Sequence, residues 1–100
     1  MTNFKVFIDD HAHYMDESER ADHGAFASAD DAVAECKRIV DDDLVAMWRP
    51  GTTAAALYRL YMSFGPDPFV VPLDPTEPQV AFSAADYAKQ RCRDLVSSLN

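Results

Sequence analysis

A chain of 100 residues, 48% hydrophobic and 11% aromatic, has the length of one domain and enough apolar content for one core. That excludes a disordered acidic chain and leaves no room for two ordinary domains. The formal net charge is −8, and all of it lies in residues 1–47, which hold twelve acids and four bases, whereas residues 48–100 hold five of each; an acidic half repels phosphate backbones, which disfavours nucleic acid as a partner.

Phe4, Val6 and Ile8 alternate with Lys5, Phe7 and Asp9, a period of two that predicts a first strand with one buried face. A polar segment runs from Asp10 to Glu19. Arg20 to Ala27 then predicts a returning strand, with Gly24 placed to tolerate a bulge or a close approach. Ser28 followed by Asp31 is a variant of the capping box, and Asp30 and Asp31 suit the first turn of a helix. Val33, Cys36, Val40, Leu44 and Met47 repeat at helical spacing, so an amphipathic helix is expected over 29–47, ended by Pro50-Gly51. Thr52 or Thr53 caps a second helix to Phe64, with Leu57, Leu60, Tyr61 and Phe64 as its apolar stripe and Gly65 as its stop. Phe69-Val70-Val71, fenced by Pro68 and Pro72, predicts a short third strand at an edge. After the proline-containing stretch 72–82, Ser83 and Asp86 repeat the capping pattern and open a last helix to Leu99. The order β-β-α-α-β-α predicts a single α+β domain over residues 1–100, two-layered, with a small three-stranded mixed sheet and three helices packed on one of its faces.

No stretch approaches the roughly 18–20 apolar residues of a membrane span. Met-Thr-Asn-Phe-Lys at the start shows no apolar run with a small-residue cleavage site, so a cytoplasmic location is expected. Cys36 and Cys92 are each flanked by bases, which lower a thiol pKa, but both stand in register with apolar helix positions and are read as small core residues.

Asp9-Asp10-His11-Ala12-His13-Tyr14-Met15-Asp16-Glu17 is the richest concentration of chemistry. Carboxylates and imidazoles are ligand types for divalent transition metals. On an extended chain Asp9, His11 and His13 point the same way, and Asp16 or Glu17 can return across the loop. The candidate binding residues are therefore Asp9, Asp10, His11, His13 and Tyr14, and the candidate metal ligands His11, His13, Asp16 and Glu17. The competing reading is a solvated loop whose aspartates cap turns. Asp41-Asp42-Asp43 spans most of a helical turn, cannot converge on one ligand, and is expected to be an exposed face. No nucleophile elbow, phosphate loop or paired CxxC is present.

The run Val6-Phe-Ile-Asp9-Asp10-x-x-His13-Tyr-Met-Asp16-Glu17-Ser-Glu-Arg20, together with Gly24-Ala-Phe26-Ala-Ser28, Cys36-Lys-Arg-Ile-Val-Asp41, the stretch Tyr58 to Pro68, and Phe82-Ser-Ala-Ala-Asp86-Tyr-Ala-Lys-Gln-Arg-Cys92, resembles a family of small uncharacterised bacterial proteins over most of the chain. The family pattern has Asn and an aromatic where this chain has His11 and Ala12. The resemblance implies a bacterial cytosolic protein and brings no activity with it.

Two functions follow as expectations. The first is a non-enzymatic accessory or interaction module. Its acidic half would meet a basic protein partner, or its aromatic middle (Trp48, Tyr58, Tyr61, Phe64 and Phe69), which reads first as core, would supply a surplus that forms a homodimer. The second is a metal-binding protein or small metal-dependent enzyme using the 9–17 loop.

Overall fold

The computed structural model describes residues 4–10, 21–74, 76 and 80–99. The elements are β1 (Phe4–Asp10), β2 (Ala21–Phe26), α1 (Ala29–Met47), α2 (Ala54–Phe64), β3 (Pro66–Pro72) and α3 (Ala84–Leu99), in the expected β-β-α-α-β-α order. β1 lies in the middle of the sheet, in the order β2-β1-β3. Both pairings are antiparallel, so the sheet is not the mixed one expected. The chain enters β3 from α2 running opposite to β1, and no parallel pair is needed.

β3 is longer than the apolar core Phe69–Val71 suggested, because its prolines do not break it. Pro66, Pro68 and Pro72 stand opposite Asp10, Ile8 and Phe4 of β1. All three share one parity, so the N–H each lacks would point off the free edge and not into the ladder. At the other edge the register slips between Val6–Gly24 and Phe7–Asp22. His23 is the extra residue of a bulge, and Gly24 takes φ +127°, a conformation side chains rarely adopt.

The helix caps form as the spacing predicts. Ser28 Oγ accepts from the Asp31 N–H at 3.1 Å, Thr53 Oγ1 from Ala56 at 3.1 Å, and Ser83 Oγ from Asp86 at 3.2 Å. Each satisfies a donor that the helix itself leaves orphaned.

The core has two parts joined along α1. Its first half packs Ala32 and Cys36 against Phe4, Val6 and Val70 of the sheet. Its second half packs Val40 and Leu44 against Leu57 and Tyr61 of α2 and Ala84, Ala88 and Cys92 of α3. Partly buried Phe82 touches both parts. α1 therefore covers the sheet, and α2 lies against α1 and α3.

Candidate functional site

Of the sequence-predicted site, the described residues hold only the beginning. Asp9 lies near the end of β1, half-buried and directly opposite Asp67 of β3. The backbone of Asp10 pairs with Pro66. His11, His13, Tyr14, Asp16 and Glu17 lie outside the described residues. Among the described residues no group of three or more His, Cys, Asp or Glu side chains is placed to hold a metal ion.

The cysteines are core residues, as their register predicted. Both are buried, and burial pushes each thiol up to about 11. A protonated thiol inside the core is a poor nucleophile.

Much of the described charge holds elements together. Asp41 is not simply an exposed face. Its carboxylate accepts from Tyr87 Oη at 3.0 Å and from Arg91 Nε at 2.9 Å, joining α1 to α3. The Tyr87 hydroxyl is pushed up to about 12, first by desolvation and then by Asp41. Lys37 Nζ stands 5.5 Å from the centre of the Tyr87 ring. Asp42, by contrast, is exposed and accepts from Arg38 at 2.7 Å. Arg38 also holds Glu35, and the bulged His23 reaches Glu35 with Nε2 at 2.9 Å, tying β2 to α1. The Arg38 hydrogen bond, then His23, holds the Glu35 carboxyl down at about 2, against the opposite effect of burial.

α2 departs most from its sequence reading. The expected apolar stripe divides: Leu57 and Tyr61 are fully buried, while Leu60 is 40% exposed and Phe64 is 68% exposed. Counted around the helix, Leu60 and Phe64 lie on one flank of the buried pair, one turn apart, with Ala56 a turn before them. Of the aromatic middle, Tyr61 is core, Trp48 and Tyr58 pack partly buried against it, and Phe69 stacks on Phe7 with ring centres 5.8 Å apart. Only Phe64 among these five is largely exposed.

On the other flank of α2 a cleft of about 360 Å³ opens toward α3. Ala54, Ala55 and Tyr58 line it from α2, and Lys89 and Arg93 from α3. The spacing of these two cations, one turn apart on α3, is visible in the sequence, but their meeting with Ala54, Ala55 and Tyr58 is not, because α2 and α3 meet only in the fold. The exposure of Leu60 and Phe64 was equally hidden. A helix lying at the outside of a bundle has the same local pattern as one covered on both flanks.

No protein-family model matches the chain, and comparisons with curated proteins and with solved structures gave no match either.

Proposed function

We propose that the protein is a non-enzymatic interaction module that pairs with a second copy of itself through α2. The observation that carries this reading is Phe64, 68% exposed, with Leu60 one turn before it. Burying a phenylalanine side chain is worth about 1.5–3 kcal/mol, and a two-fold pairing buries each residue twice.

Charge favours this face. α2 itself carries no acidic residue, so two copies pairing along this helix bring none of its own carboxylates together. The sheet edges disfavour the alternative route of strand addition, since β3 carries three prolines and β2 a bulge. Ala56 and Ser63, small residues beside Leu60 and Phe64, allow two helices to approach closely. An interface this narrow gives a weak, concentration-dependent dimer.

Sedimentation velocity over a concentration series tests the reading. Wild type is expected to shift from monomer toward dimer with concentration, and Phe64→Ser to remain monomeric with an unchanged circular dichroism spectrum. A wild type that stays monomeric throughout, or a Phe64→Ser variant that dimerises equally well, overturns it.

A further inference from the structure

We infer that the cleft between α2 and α3 is a binding site for a small organic anion: a flat apolar body carrying one carboxylate or phosphate group. It uses the flank of α2 opposite Leu60 and Phe64, so it stands or falls independently of self-association.

The cations carry the inference. Arg38 and Arg91 are each held by carboxylates, and Arg49 donates to the carbonyls of Ala46 and Trp48. Lys89 and Arg93, like Lys37 and Arg59, form no ion pair among the described residues, although acids outnumber bases 17 to 9 in the chain; what sets Lys89 and Arg93 apart is that they share a cleft. They stand one turn apart on α3, where like charges repel, and both line the same cleft. An acid group between them relieves that repulsion, and a guanidinium offers a carboxylate or phosphate two parallel N–H donors.

The rest of the cleft suits an apolar body. Ala54 and Ala55 leave space that longer side chains would fill, and Tyr58 contributes an aromatic wall. A volume of about 360 Å³ falls in the lower part of the range of small-molecule sites. Ala54 and Ala55 are also the first turn of α2, which contains no acidic residue, so the positive helix end faces no carboxylate from its own turn. The ligand's acid group would sit toward α3 and its apolar body against α2.

The test is a heteronuclear NMR titration of the full chain with phenylacetate, phenyl phosphate and the neutral analogue 2-phenylethanol. Saturable shifts at the amides of Ala54, Ala55 and Tyr58 are expected for at least one acid, with the tighter of the two identifying the preferred acid group. The neutral analogue is expected to bind at least tenfold more weakly. Lys89 and Arg93 are exposed, so Lys89→Gln/Arg93→Gln should fold normally, and it should weaken the acid at least tenfold. Ala55→Trp, which fills the cleft and keeps both cations, should abolish the shifts. The site is overturned if neither acid gives saturable shifts at these amides, if the neutral analogue binds equally well, or if the double variant binds like wild type.

Discussion

Gly65 closes α2 with φ −78° and ψ 167°, a conformation open to any residue. Space is what demands glycine here: a Cβ would stand 2.5 Å from Tyr61 Cδ1 and 2.8 Å from the Tyr61 carbonyl oxygen. Tyr61 cannot yield easily, because its ring is fully buried and its hydroxyl donates to the Pro66 carbonyl. Gly65→Ala is therefore expected to cost about 1–3 kcal/mol through overpacking, read as a lower urea midpoint. Glu35 supplies a second residue-scale prediction. Its folded-state pKa of about 2 lies below the usual 4.5, so the stabilisation it gives is complete above about pH 4.5 and is lost as pH falls toward 2. The stability gap between wild type and Glu35→Gln, measured by urea unfolding, should be full near neutral pH and shrink across that window. A gap that stays constant would mean Glu35 is not the group titrating.

At the scale of elements, α1 and α3 are joined by both packing and charge. Arg91 and Asp41 are each about a third exposed, at 30% and 32%, so the ion pair itself is worth at most about 1 kcal/mol. The Tyr87 hydrogen bond adds to it, and the phenol, raised first by desolvation and then by Asp41, gives a distinct signature. A phenol whose folded-state pKa is raised to about 12 from 10 contributes stability that is full below about pH 10 and lost as pH rises toward 12. Tyr87→Phe should be less stable than wild type at neutral pH and converge with it across that alkaline window, followed by urea unfolding. Asp42→Asn, on the exposed side of the same turn, should change stability by only about 0.5 kcal/mol or less. Helices and strands themselves were largely legible in the sequence, because capping residues and hydrophobic period are local signals. Ser28, Thr53 and Ser83 mark three helix starts, and Gly24 marks the bulge. The outward parity of Pro66, Pro68 and Pro72 was not legible, since it depends on which strand β3 pairs with. Neither was the inward turn of Asp41, whose partner lies 50 residues away on α3.

Across the whole molecule, α1 is a spine with the sheet on its first half and the other two helices on its second. This arrangement leaves α2 on the outside and turns part of its apolar stripe into surface. The sequence pointed to residues 9–17 as the richest chemistry and to the aromatic middle as core with a surplus for a homodimer face. Most of the first lies outside the described residues, while of the second only Phe64 is largely exposed, with Leu60 beside it. The cleft, built by two helices distant in sequence, had no local signature. In the proposed pairing, Leu60 and Phe64 meet their counterparts in a second copy. An isotope-filtered NOE experiment on an equal mixture of labelled and unlabelled chains tests it most directly. Intermolecular NOEs between the Phe64 ring and the Leu60 methyl groups, present at high concentration and fading on dilution, are the predicted result. Intermolecular NOEs confined to residues outside α2, or none from Leu60 and Phe64 at concentrations where the chain sediments as a dimer, would contradict it.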